Sequence, residues 1–105
     1  MAMELEINEA GERCVIKAKG EVDLYSSPAL RDAILGAIPK AAQGVSVDLS
    51  EVVYMDSSGV ATLVEGLKAT GKKSKTFSLL TPSTSVMKVL QLSRLDSVFT
   101  IEEGA

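Results

Sequence analysis

The chain has 105 residues and a formal net charge of −3, with 46% hydrophobic and 24% charged residues. That length suits one domain, residues 1–105, with one modest core, and the acidic balance lacks the basic footprint of a nucleic-acid binder. No apolar run approaches the roughly 20 residues that cross a bilayer, and a chain without histidine has neither the usual general base nor a Ser-His-Asp triad.

Met1-Ala2-Met3-Glu4 lacks the basic and apolar regions of a signal peptide. Cys14 is the single cysteine, so an intrachain disulfide and a structural zinc site are both excluded. Its place in an apolar alternation predicts a reduced core thiol in a cytoplasmic protein.

Met3, Leu5 and Ile7 alternate with Glu4, Glu6 and Asn8, the pattern of a first strand. Glu9-Ala10-Gly11-Glu12 reads as a reversal, with Gly11 tolerating positive φ. Cys14, Ile16 and Ala18 then alternate with Val15, Lys17 and Lys19, which completes an antiparallel hairpin. Gly20-Glu21-Val22-Asp23 closes the second strand, either as a plain strand exit with solvated carboxylates or as a loop presenting acidic groups beside a functional surface. Ser27-Pro28 predicts a helix start capped by Ser27. Leu30, Ala33, Ile34, Ala37 and Ile38 form its apolar stripe, and Pro39 ends it near Ile38.

Val45, Val47 and Leu49 alternate as a half-buried strand. Val60, Leu63, Val64 and Leu67 recur at helical spacing, with Gly71 as the expected stop. Lys72-Lys73-Ser74-Lys75 is read as a solvated loop. Thr76 to Leu80 is a strand, and Thr81-Pro82 repeats the cap-then-proline pattern before Val86, Val89 and Leu90. Val98, Phe99 and Ile101 predict a short last strand or an extended tail, and Glu102-Glu103-Gly104-Ala105 a mobile end. The order β-β-α-β-α-β-α, with a possible final β, predicts a single α/β domain. Its sheet is mixed, with four or five strands beside three or more amphipathic helices.

The period changes from strand to helix across Asp56-Ser57-Ser58-Gly59. Backbone amides at a helix start lack intrahelical partners and face the positive end of the dipole. A hydroxyl there is either a structural cap or a group placed to carry phosphate. The stretch is not G-x-S-x-G, and no histidine takes the proton of a serine nucleophile. It also lacks the glycine-lysine pattern of a nucleotide cradle. Phosphate on a serine adds about −1.5 to −2 charge. Unpaired amides would stabilise it in place while the altered charge repels a partner.

Gly20-Glu21-Val22-Asp23, Val47-Asp48-Leu49-Ser50 and Met55-Asp56-Ser57-Ser58-Gly59, in that order and spacing, resemble the STAS domains of bacterial anti-sigma-factor antagonists. Thr81-Pro82 followed by an apolar helix is similar as well, so the resemblance covers nearly the whole chain. Many relatives follow the serine motif with a hydrophobic residue and glycine, where this chain has Val60-Ala61. The resemblance implies a STAS fold and a regulatory protein that is not an enzyme. Its partners would be an anti-sigma factor that is also a serine kinase, and a serine phosphatase, without direct nucleic-acid contact or membrane insertion. Binding of the unphosphorylated chain would free a sigma factor, and phosphorylation would end the complex. Carried onto this sequence, the phosphoacceptor is Ser57, with Ser58 the second candidate. Asp23, Asp56, Ser57, Ser58 and Gly59 form the partner-binding surface. Magnesium and ATP belong to the kinase, so no cofactor is expected here. The alternative is a non-switching STAS subunit of a lipid-transport ABC transporter.

Overall fold

In the computed structural model, which describes residues 3–103, the alternations become two antiparallel strands, β1 (Met3–Ala10) and β2 (Arg13–Val22). Their register runs from Met3 opposite Gly20 to Ala10 opposite Arg13. Gly11 lies in the turn at φ +66°, a region open to glycine without steric cost. Met1, Ala2, Gly104 and Ala105, with the parts of the signal-peptide and tail expectations that fall on them, lie outside the described residues.

The remaining elements are α1 (Ser27–Ala37), β3 (Gly44–Met55), α2 (Ser57–Lys72), β4 (Thr76–Leu80), α3 (Thr84–Leu92) and β5 (Thr100–Glu102). The sheet order is β1-β2-β3-β4-β5. After the hairpin, every pairing is parallel. Each parallel pair needs a crossover, and right-handed crossovers stepping in one direction put their helices on one face. That face is the core. Ile16, Val45, Val47, Leu49, Phe77 and Leu79 from the strands meet Leu30, Ile34, Leu63, Val86 and Leu90 from the helices, all buried. Gly66 lets α2 approach closely: a Cβ there would lie 2.8 Å from Phe77 Cζ and 3.0 Å from Ile34 Cγ2. Cys14 is buried in this layer, and desolvation raises its thiol pKa.

The opposite face is polar, as an antiparallel edge and a solvated sheet surface permit. Lys19 pairs with Glu6 and Lys17 with Glu51, each at 2.6 Å. Arg13 lies across Ser46 and Thr76, donating to their hydroxyls at 2.9 and 2.7 Å. Beneath it, the buried hydroxyls of Ser46 and Ser78 are 2.8 Å apart. Burial is therefore accompanied by hydrogen bonding, which offsets the desolvation of these groups.

Four local expectations change. Strict alternation predicts strand only around Val45 to Leu49, but β3 continues to Met55. Its register against β2 shifts between Lys17 and Lys19 and again between Gly20 and Glu21. Each shift accommodates one extra residue of β3, as a β-bulge does. Leu49, Val52 and Met55, three apart, thus all reach the core. Ser27 is the first residue of α1, not its cap; Ser26 occupies that position. Gly71 lies inside α2, which ends at Lys72, and the left-handed residue beyond it is Ser74 at φ 56°. Thr81 does not cap α3. Ser83 does, accepting from Val86 N at 3.3 Å while donating to Val52 O at 2.6 Å. Both serines at the true caps stand one or two residues from the expected ones, because the chain must first satisfy a contact with a neighbouring strand or loop.

Leu79 is fully buried in β4. Leu79→Ala is expected to destabilise the fold by about 2–5 kcal/mol through lost transfer energy and a residual cavity. Urea unfolding followed by circular dichroism measures this.

Candidate functional site

The carboxyl ends of β2 and β3 are paired neighbours, with Glu21 opposite Tyr54 and Val22 opposite Met55. Asp56 N donates to Val22 O at 3.1 Å, which extends the pairing by one residue. Each strand then enters a helix, β2 through Asp23–Ser26 and β3 through Asp56 alone. Two loops bearing carboxylates therefore meet outside the carboxyl ends of parallel strands, the usual place for a site on such a sheet.

Asp56 is extended, at φ −105° and ψ −171°, and is the N-cap of α2. Its Oδ1 accepts from Ser58 N at 2.9 Å and from Gly59 N at 3.4 Å. The strand-to-helix change expected over four residues thus occurs at one, and Ser57 is already helical. Ser57 is exposed whereas Ser58 is half-buried. Among the described residues, no side-chain hydrogen bond engages the Ser57 hydroxyl. Gly59 is buried against the strand ends, where a Cβ would stand 2.6 Å from Met55 Cγ and 2.9 Å from Val22 Cγ1. Glycine is required there for close approach, so Gly59 acts by packing and offers no side chain to a partner. At the Val60-Ala61 departure, Val60 is buried in the core and Ala61 faces outward.

One expectation about this turn is corrected. The amides of Ser58 and Gly59 are not unpaired, since the Asp56 carboxylate holds both. A phosphate on Ser57 would still sit near the positive end of the α2 dipole, worth about 0.3–1 kcal/mol. It would do so beside a carboxylate that already occupies the nearest donors.

Asp23 lies in the adjoining loop, but its carboxylate is turned into that loop. Its Oδ1 accepts from Tyr25 N at 2.9 Å and Ser26 N at 3.0 Å. Ser26 Oγ receives Asp23 N at 2.9 Å and donates to Glu21 O at 2.8 Å. These bonds, chiefly that from Ser26 N, hold the Asp23 carboxyl below its ordinary pKa. Strand pairing brings the Asp23 loop beside the Asp56 turn, and Asp23 shapes that loop. Sequence reasoning missed Ser26, whose only signal was the Asp-x-x-Ser spacing of a local side-chain turn. It also missed four exposed apolar residues on the two paired segments: Leu24 and Tyr25 in the Asp23 loop, and Val53 and Tyr54 just before Asp56.

A family model described as the MlaB, STAS domain matches residues 5–102. The chain belongs to the STAS-domain family. Among its relatives, an anti-sigma-B factor antagonist of Staphylococcus epidermidis is 29% identical over 89 residues, covering 85% of this chain and 82% of the relative. The unphosphorylated form of the anti-sigma factor antagonist SpoIIAA superposes with a TM-score of 0.77 at 30% identity, covering 95% of this chain and 87% of SpoIIAA. Its phosphorylated form from Bacillus gives 0.74 at 28% identity, covering 98% and 92%. An anti-sigma factor antagonist of Mycobacterium paratuberculosis shares the fold at a TM-score of 0.86 and 22% identity, covering 98% of this chain and 87% of that one. Among the described residues of this STAS domain, no helix is long and apolar enough to cross a membrane.

Asp56→Ala is expected to cost about 0.5–2 kcal/mol of stability through loss of the cap, with Asp56→Ser retaining most of it; chemical unfolding of both variants is the check. Asp23 has its own pH signature. A carboxyl with a lowered folded pKa stabilises the fold above its unfolded pKa of about 3.9 and loses that contribution as pH falls through the folded value. The melting temperature of Asp23→Asn should therefore lie below that of the wild type at pH 7. The gap should close below about pH 4.

Proposed function

We propose that the chain is an anti-sigma-factor antagonist whose binding to an anti-sigma factor kinase is ended by phosphorylation of Ser57. The observation that carries this reading is an exposed Ser57 hydroxyl in the first turn of α2, next to a half-buried Ser58. A kinase must bring a hydroxyl into its own active site, and Ser57 is accessible without unfolding the turn. The antagonists named among the relatives, and a relative of the same fold whose structure is known in a phosphorylated form, support it further.

The proposed switch is electrostatic. Ser57 phosphate adds about −1.5 to −2 charge beside Asp56, whose carboxylate already holds the helix amides. The added charge therefore faces the partner with little internal neutralisation. Like-charge juxtaposition costs several kcal/mol at an interface, and about 1.4 kcal/mol is tenfold in affinity. Asp56 fixes the acceptor turn, Asp23 fixes the neighbouring loop, and Gly59 seats the helix start. A serine phosphatase would restore the binding form. ATP and magnesium would be supplied by the kinase, and the working place of such a switch is the cytoplasm.

A second reading has one observation in its favour. The matched family model is that of the MlaB STAS domain, which supports a fixed subunit beside the ATPase of a lipid-transport ABC system. In that role the same turn would be a permanent contact, and copurification with the ATPase would persist in Ser57→Ala.

The purified chain, incubated with the anti-sigma factor kinases of its own genome and ATP-magnesium, is expected to gain one phosphate, mapped by mass spectrometry to Ser57 and absent from Ser57→Ala. Phosphate on Ser58 with Ser57 untouched would overturn the assignment. Ser57→Ala should bind the kinase like the wild type, and Ser57→Glu at least about tenfold more weakly. Equal affinities would remove the electrostatic release model.

A further inference from the structure

Exposed large apolar residues are not spread evenly over this molecule. Of the seven such residues among the described ones, Leu24, Tyr25, Val53 and Tyr54 belong to two short segments at one end of the sheet. The segments are 65% and 90% exposed at Leu24 and Tyr25, and 62% and 49% at Val53 and Tyr54. Strand pairing joins them, because Glu21 lies opposite Tyr54 and Val22 opposite Met55. Asp56, and then Ser57, follow Tyr54-Met55 directly. The two tyrosine-bearing segments thus border the proposed acceptor on both of the strands that carry the site.

Neither segment is loose. Asp23 Oδ1 holds the Tyr25 amide at 2.9 Å, and Tyr54 sits within β3. A pre-shaped backbone lowers the ordering cost of binding. Tyrosine offers a large contact area with only two side-chain torsions to freeze, and it is enriched among residues that dominate interfaces. Apolar side chains left in solvent beside a functional turn mark an interaction surface.

We infer that Tyr25 and Tyr54, with Leu24 and Val53 around them, anchor the kinase partner and supply most of the affinity that phosphorylation of Ser57 then opposes. This inference rests on the proposed function. The occupant is the anti-sigma factor kinase because that protein must cover Ser57 to modify it, and the patch lies on the two segments that the pairing of Val22 with Met55 joins to the Ser57 turn. The complementary surface is an apolar groove that receives the two rings and offers the turn no cation, so it tolerates the unmodified serine and not its phosphate. The division of labour is physical: aromatic burial holds the complex, and the turn at Asp56-Ser57 sets the charge that decides whether it persists.

The test uses the full chain and the kinase that phosphorylates Ser57 in the assay above. Binding is measured by titration calorimetry without ATP, and phosphorylation kinetics with ATP. Tyr25→Ala and Tyr54→Ala are each expected to raise Kd at least about tenfold and to raise KM for Ser57 phosphorylation with kcat retained. Leu92→Ala, at an exposed apolar position on α3, should stay within about twofold of the wild type, as a surface change outside the interface does. Circular dichroism melting confirms that the tyrosine variants fold, and Tyr25→Phe, which keeps the ring, should bind like the wild type. If both alanine variants bind and react like a wild type that is itself bound and phosphorylated, this inference is overturned and the acceptor assignment stands. An equal loss in Leu92→Ala also overturns it. A wild type that neither binds nor accepts phosphate from any such kinase overturns both.

Discussion

The structure depends most on how β2 and β3 end together. Val22 lies opposite Met55, and Asp56 N donates to Val22 O. That one additional hydrogen bond carries strand pairing up to the cap of α2. Gly59 then descends onto the side chains of Val22 and Met55 at distances no Cβ would allow. Entry of β2 into its loop, exit of β3, and the start of α2 are thereby coupled. Two carboxylate-bearing turns separated by more than thirty positions in sequence become one surface.

Reaching that junction required extra chain. A strand that kept strict alternation would carry one parity of β3 toward the helices throughout. The two register shifts insert one residue each, so Leu49, Val52 and Met55 all point into the core. Bulges of this kind re-aim side chains near functional edges. Here they also leave Val53 and Tyr54 outside, exposed beside the turn. Val53, which alternation with Leu49 would have assigned to the core, instead becomes surface.

The cap and the proposed phosphate would compete for the same electrostatic resource. Asp56 satisfies the first-turn amides with its own carboxylate, which stabilises the helix before any phosphate arrives. In the proposed switch this makes the phosphate costly to a partner, because the amides that would neutralise it are already engaged. Asp23 shows the same economy of design in the neighbouring loop: its carboxylate orders Tyr25 and Ser26 and so contributes shape rather than a free charge.

Much of this was legible from local pattern. Periods of two and near 3.6 placed seven elements in order and left the eighth open between a short strand and an extended tail, Gly11 marked the hairpin turn, and the change of period located the junction around Asp56. These are properties of adjacent residues, which is why a linear reading captures them. The STAS motifs likewise singled out Asp23 and Asp56 to Gly59 as a group. Cap positions were less legible. Ser83 was settled by a contact with Val52 O, 31 residues away, and Ser26 by one with Glu21 O at the start of its own loop. By itself the sequence determined a serine candidate at a strand-to-helix junction in a mixed α/β domain, and the structure showed Ser57 exposed and Asp56 as the cap. Asp56 on its helix amides and Asp23 turned into its own loop are contacts two and three residues long; tertiary structure alone decided that the Tyr25 and Tyr54 segments share one end of the sheet. That outcome follows from the register between β2 and β3, and register depends on how bulges and burial are balanced across the whole sheet.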